Sequence, residues 1–147
     1  MIRMAFENPS RDQIKVLLEH SHTIAVVGLS DNPERISYMV SEAMQNKGYR
    51  IIPVNPNADT ILGEKSYASL KDIPDQVDLV NVFRRSEHTP PLAEEAIAIG
   101  AKAIWLQLGV FLEETAQIAQ KGGLQVVMDR CIKVEDSILL PNGKPKS

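Results

Sequence analysis

The sequence predicts an α/β domain built on one mainly parallel, five-stranded sheet with helices on both faces. Three observations carry that expectation. Short runs that are apolar on both sides recur at Thr23–Val27, Tyr49–Val54, Val77–Phe83, Ala103–Leu108 and Leu124–Met128, as strands buried between two helical layers require. Segments of helical pattern separate most of them, at Ile36–Lys47, Thr89–Ile99 and from Glu113 to Gly122. Crossovers of that length join parallel strands.

The first strand organises the rest. Thr23-Ile24-Ala25-Val26-Val27 runs into Gly28, which lets the backbone turn sharply and come close to a ligand. Small and polar residues follow, and then a helix whose first N–H groups have no intrahelical partner. Such an end favours a phosphate. A nucleotide-type ligand over Gly28, Leu29 and Ser30 is therefore the first functional expectation.

Before that strand, Met1–Phe6 reads as a loose arm, and Asn8-Pro9-Ser10 opens a short helix with Pro9 in its first turn. Ile14, Val16, Leu17 and Leu18 form its apolar face, and it ends near His20-Ser21. Gly48 stops the next helix, Pro53 lies near the end of the second strand, and Asn55-Pro56-Asn57 turns the chain. Thr60–Ser69 reads as a crossover with a helical turn at Ser69–Ile73. Gly100, Gly109 and Gly122-Gly123 end the later elements. Cys131–Leu140 fits either an extended or a helical piece. The single domain spans 10–140, with loose termini at 1–9 and 141–147.

Length and composition narrow the function. The chain has 147 residues, 44% hydrophobic and 24% charged, the profile of one ordinary domain. A net charge of −3 and 5% aromatics speak against nucleic acid, which calls for a basic face or a stacking platform. No apolar run reaches the roughly 18 residues of a membrane helix, and no secretory signal stands at the N-terminus. The one cysteine, Cys131, makes no internal disulfide. The expected compartment is the cytoplasm.

Right-handed crossovers and a reversal of strand order would bring four loops together at the carboxyl ends of the strands. They are Gly28–Arg35, Asn55–Asn57, Arg84–His88 and Gln107–Val110. Arg35, Arg84 and Arg85 supply the planar donors that suit phosphate. If the third strand continued through them, Arg84 and Arg85 would point apart and one alone would face the crevice. The first loop lacks the G-x-G-x-x-G fingerprint, because Ser30 and Pro33 hold its second and third glycine positions. Asn55-Pro56-Asn57 stands where an acidic residue would bind a ribose. An NAD(P)-binding redox or sensor domain is thus the alternative rather than the leading reading.

No histidine has metal-ligand spacing, no serine sits in a G-x-S-x-G elbow, and Glu94-Glu95 and Glu113-Glu114 read as solvated helix faces. Arg130 beside Cys131 suggests an activated thiol; the competing reading is a half-buried structural cysteine. An acyl-CoA enzyme using Cys131 or His88 is the second alternative.

Several stretches together resemble the small stand-alone CoA-binding proteins. They are Val26–Arg35, Ile52-Pro53-Val54-Asn55-Pro56, Ile61-Leu62-Gly63, Val82-Phe83-Arg84-Arg85, Glu95–Lys102, Trp105-Leu106-Gln107-Leu108-Gly109 and Met128-Asp129-Arg130-Cys131. That family is similar to the CoA-binding domain of the succinyl-CoA synthetase alpha subunit and of ADP-forming acyl-CoA synthetases. The resemblance runs from about Ser10 to Glu135. It implies a Rossmann-like, three-layer domain whose crevice holds the 3′-phospho-ADP half of coenzyme A. By position it implies that Gly28, Leu29, Ser30 and Asp31 form the first ligand loop and that Asn55, Pro56 and Asn57 border the nucleotide. Val82, Phe83 and Arg84 would line one strand edge and Gln107 the next. The synthetase subunit carries a lysine after the proline of its second loop; Asn57-Ala58-Asp59 offers none. Proline is frequent in the family where Ile36 stands. The synthetases phosphorylate a histidine in a further domain, and no histidine here matches it. The resemblance implies binding of CoA or an acyl-CoA without the ligase reaction; it names no protein partner.

Overall fold

The computed structural model describes residues 6–144. The five apolar runs become five parallel strands: β1 (Thr23–Val27), β2 (Arg50–Val54), β5 (Leu79–Val82), β6 (Ala103–Leu106) and β7 (Gln125–Val127). They are ordered β2-β1-β5-β6-β7, and every pairing is parallel. The chain winds outward from β1 to β2, then returns past β1 to lay down β5, β6 and β7. The direction of winding therefore reverses between β1 and β5. In open α/β sheets a crevice forms at such a point, outside the carboxyl ends of the strands.

Alternate strand residues feed two cores. Ile24, Val26, Ile51, Leu79, Trp105 and Val127 pack against α1 (Arg11–Glu19), α2 (Ile36–Asn46) and α5 (Ile132–Leu139). Ala25, Val27, Ile52, Val80, Val82 and Ile104 face α3 (Pro90–Ala98) and α4 (Glu113–Lys121). The three-layer arrangement is thus present, with helices on both faces of an all-parallel sheet.

Local chemistry sets where elements begin. Ser10 caps α1 in a reciprocal box: the N–H of Gln13 donates to Ser10 Oγ at 3.2 Å, and the N–H of Ser10 donates to Gln13 Oε1 at 2.9 Å. Pro9 therefore lies outside the helix rather than in its first turn. Val16 is also displaced from the expected apolar face and is half exposed, because Ile14, Leu17 and Leu18 already fill the contact with the sheet. Four of the five strands are shorter than their apolar runs, while β1 matches its run. β5 starts at Leu79 and stops at Val82.

The crossover from β2 to β5 contains a hairpin that the apolar pattern does not reveal. Thr60–Ile61 (β3) pairs antiparallel with Glu64–Lys65 (β4) around Leu62 and Gly63, both at positive φ. A single 3-10 turn at Leu70–Asp72 follows, inside the expected helical turn. Cys131–Leu140 resolves as helical.

The described parts of both termini are held, not loose. The N–H of Phe6 donates to the Glu113 carboxylate at 2.9 Å. The Asn8 side-chain amide pairs with both the N–H and the C=O of Met128, at 2.8 Å each. At the other end, Lys144 Nζ lies 4.3 Å from the centre of the Tyr49 ring and donates to the carbonyl of Ser21. Residues 1–5 and 145–147, the rest of the two predicted loose ends, lie outside the described residues.

Two buried carboxylates tie elements together. Asp136 of α5 accepts from Tyr49 Oη at 2.5 Å and from Lys47 Nζ at 2.8 Å. Burial, then the hydrogen bond and charge of Asp136, hold the Tyr49 phenol above its ordinary range. At the amino ends of the strands, Asp78 Oδ2 accepts from the N–H groups of His22 and Thr23 at 2.9 and 3.0 Å. Burial pushes the Asp78 carboxyl up, but the Thr23 and His22 donors with Lys102 outweigh it and leave it below the usual carboxylate range.

Candidate functional site

The crevice is built on the approach of two backbones. Gly28 has φ +85°, and a Cβ placed on it would stand 2.2 Å from the carbonyl oxygen of Phe83. The N–H of Phe83 donates to the carbonyl of Val27 at 2.9 Å, so β1 and β5 stay in register up to the rim. Only glycine permits that approach. Leu29, next in line, is fully buried and anchors the loop to the α2 side of the core.

The second loop braces the first. Asn55 Nδ2 donates to the carbonyl of Leu29 at 3.0 Å, while the N–H of Asn57 donates to Asn55 Oδ1 at 2.8 Å. Asn55 is itself held by Ser66 Oγ and by the carbonyl of Tyr67. Within the first loop, Ser30 Oγ accepts from the N–H of Asn32, and Asn32 Oδ1 from that of Glu34. The N–H of Ser30 is taken by Ser37 Oγ at 3.0 Å, so it is not free for a ligand. Among the described residues the N–H groups of Leu29 and Asp31 donate to no other protein atom, and Arg35, the N-cap residue of α2, makes no side-chain cap. Leu29 is fully buried, so the N–H of Asp31 and the first turn of α2 are the donors open to an anion.

Three concavities surround this junction. One of about 430 Å³ joins Gly28 and Ser30 to Arg35, Ile36 and Ser37 at the start of α2. A second, of about 470 Å³ and mainly apolar, lies between Ile36, Phe83, Leu108, Val110 and Cys131. A third, of about 230 Å³, opens on the α3 side between Val27, Val54, Leu70, Leu92 and Glu95. Phe83 and Ile36 border the first two; Arg84 borders the second and third. Arg84 Nε also lies 3.5 Å from where a Gly28 Cβ would be. The arginine thus spans the junction above the glycine.

The residues expected to bind do gather here, but not all present side chains. Gly28, Ser30, Arg35, Phe83, Arg84 and Gln107 line the concavities. Leu29 and Val82 are fully buried, and their side chains fill the core. Asp31, Pro56 and Asn57 are exposed and border none of the three, while Asn55 acts as a brace. Gln107 is buried at the rim, with its Nε2 donating to Asn81 Oδ1 at 2.6 Å. Arg84 and Arg85 do not divide between opposite faces. β5 ends at Val82, so strand alternation no longer governs them, and both line the apolar concavity. Among the described residues neither they nor Arg35 form an ion pair.

Two contributors escape a reading of the sequence. Ser37 locks Ser30 in place, seven residues away. Glu95 is half buried in the wall of the 230 Å³ cavity, not part of a solvated face; Glu94 is the exposed member of the pair. The signal for Glu95 was its spacing, since it follows Leu92 by one helical turn and adjoins buried Ala96. Cys131 is the N-cap residue of α5, half buried in the apolar concavity, whereas His88 lines the smaller cavity. Among the described residues no cluster of three or more His, Cys, Asp or Glu could hold a metal, and no helix is long and apolar enough to cross a membrane.

An all-parallel Rossmann-like sheet with a glycine turn, a helix start and arginines at its point of reversal defines the class of open α/β ligand-binding domains. Residues 22–137 match the family described as the CoA binding domain, and the chain belongs to that family. It is 52% identical to the uncharacterized protein YneT of Bacillus subtilis over 90% of this chain and 98% of that one. It is 27% identical to the alpha subunit of ADP-forming acetate–CoA ligase II of Pyrococcus furiosus, over 76% of this chain but only 27% of the ligase subunit. Among solved structures, a hypothetical protein from Pyrococcus horikoshii superposes with a TM-score of 0.88 at 34% identity, covering 95% of this chain and 99% of that one. The expected fold and the expected family are both confirmed.

Proposed function

We propose that this protein binds coenzyme A or an acyl-CoA through its 3′-phospho-ADP half in the crevice at the carboxyl ends of β1, β2, β5 and β6, and that it does so without turning the ligand over. The observation that carries the reading is the coincidence of the family match with the place where Gly28, the start of α2 and Arg84 meet. The free N–H of Asp31, the α2 N-terminus and Arg84 suit the phosphates. The apolar concavity beside Phe83 and Leu108 suits the pantetheine arm, an extended chain of mixed polarity.

One arrangement of side chains supports binding without turnover. His88 and Cys131 line different concavities, which speaks against their pairing as base and nucleophile. Thermal denaturation with saturating CoA, NAD and NADP tests the proposal, because a ligand that binds only the folded state raises the melting temperature. CoA is expected to raise it. A rise with NAD or NADP and none with CoA would sink the proposal, and hydrolysis or transfer in an acyl-CoA turnover screen would overturn its non-catalytic part.

A further inference from the structure

We infer that the turn from Leu108 to Phe111 is a platform for an aliphatic acyl chain, so that the ligand this crevice prefers is an acyl-CoA rather than free CoA. The inference rests on the CoA reading and deepens it. Leu108 is 71% exposed, Phe111 58%, and Ile36, which shares the apolar concavity with Leu108, 69%. Large apolar side chains gathered in water at one place mark a surface that something covers. The turn that carries two of them is firmly tied. The N–H of Val110 donates to the carbonyl of Gln107 at 2.8 Å, and that of Phe111 to Ser86 Oγ at 3.0 Å. Asp129, just after β7, adds two more bonds. Its Oδ1 accepts from the N–H of Gly109 at 2.7 Å, and its own N–H donates to the carbonyl of Val110 at 3.1 Å. Asp129 makes them at φ +57°, a conformation uncommon for any residue but glycine. Four hydrogen bonds and one strained residue thus fix two apolar side chains outside the core.

Continuity with the Gly28 junction says what covers them. Phe83 and Ile36 border both the concavity at Gly28 and the apolar one. A ligand whose phosphates lie at Gly28 and Arg84 therefore sends its arm past these two side chains. Gln107, Arg84 and Arg85 are the polar groups on that path, and they suit the amides of pantetheine. The rest of the lining is carbon and one sulfur: Ile36, Leu108, Val110 and Cys131. A free thiol covers little of that surface. A thioester that carries a run of methylenes covers it and leaves no polar group unpaired. A second copy of the chain fits less well. The lining holds two arginines and no carboxylate, so a two-fold contact of this patch with itself would bring four positive charges together.

Calorimetric titration with CoA, acetyl-CoA and octanoyl-CoA tests this, with light scattering of the same preparations. Octanoyl-CoA should bind the unaltered protein at least about tenfold more tightly than acetyl-CoA or CoA. Each methylene fully buried would add about fourfold, and a platform open on one side recovers part of that. Leu108→Ser should bring octanoyl-CoA and acetyl-CoA to within about threefold of each other. Val134→Ser, which alters an exposed apolar side chain of α5 that borders none of the three concavities, should keep the preference. Equal affinity of the unaltered protein for the two thioesters would overturn the acyl platform and leave CoA binding in place. So would a preference that survives in Leu108→Ser, or one lost equally in Val134→Ser. Self-association of the unaltered protein, abolished by Leu108→Ser, would also overturn it and give the turn to a second copy. No binding of CoA or of either thioester would overturn the CoA reading and this inference together.

Discussion

At Gly28 the positive φ and the nearby Phe83 carbonyl act in the same direction, since a side chain is strained by the first and collides with the second. Gly28→Ala should therefore cost stability as well as binding, at least about 1–2 kcal/mol from the backbone conformation alone. Urea denaturation and CoA titration of one preparation read both losses; a variant as stable as the parent would mean that the loop shifts freely. The two arginines separate by reach. Arg84→Ala should weaken CoA by about 1.5–3 kcal/mol, the range for a charged hydrogen bond, and reduce the salt dependence of binding. Arg85→Ala should change affinity less, because Arg85 lines the apolar concavity alone. Equal losses in the two variants would remove the bridging role of Arg84. The sequence made Gly28 and Arg84 visible through their place after apolar runs. It could not show that Leu29 and Val82 would be consumed by the core, or that the N–H of Ser30 would go to Ser37, because those outcomes depend on packing across elements.

Among the elements, strands were more legible than the pieces between them. Continuous apolar runs marked all five parallel strands. The β3–β4 hairpin left no trace, since two-residue strands have no period to read and Leu62-Gly63 is not the usual turn pair. The last helix was ambiguous because Val134 and Ile138, half exposed, blur its apolar stripe. What fixes α5 is polar: Asp136, 1% exposed, gathers Tyr49 and Lys47 from the end of α2 and the approach to β2. Asp136→Ala would leave the buried phenol only its long, 3.4 Å bond to the carbonyl of Leu18, at a cost of about 1–3 kcal/mol. Amide hydrogen exchange should locate that loss in α5 and in the start of β2. A loss spread evenly over the molecule would deny Asp136 a docking role.

On the scale of the whole molecule, Asp78 joins the starts of β1 and β5 beneath the sheet, opposite the crevice. Its carboxyl is held below the ordinary value in the folded state. As pH falls, the unfolded chain takes up the proton first. The stabilisation is therefore present above about pH 4, near the unfolded carboxyl, and is lost as pH falls through the folded value. Urea midpoints should show Asp78→Asn less stable than the parent at pH 7 and the gap closing in acid. A gap independent of pH would assign the effect to shape, not charge.

The sheet also has two outer margins, and both are occupied. Beside β2, Tyr67 exchanges backbone hydrogen bonds with Pro53 and Asn55; beyond β7, the Asn8 amide takes both peptide groups of Met128. An open margin is a template on which a second molecule can add a strand, and a chain of such additions precipitates. One side chain near the amino terminus thus has colloidal consequences out of proportion to its size. Asn8→Ala should turn a clear concentrated solution turbid on storage, with light scattering that grows with concentration. Scattering indistinguishable from that of the parent would mean that the three residues of β7 are too short an invitation to need a guard.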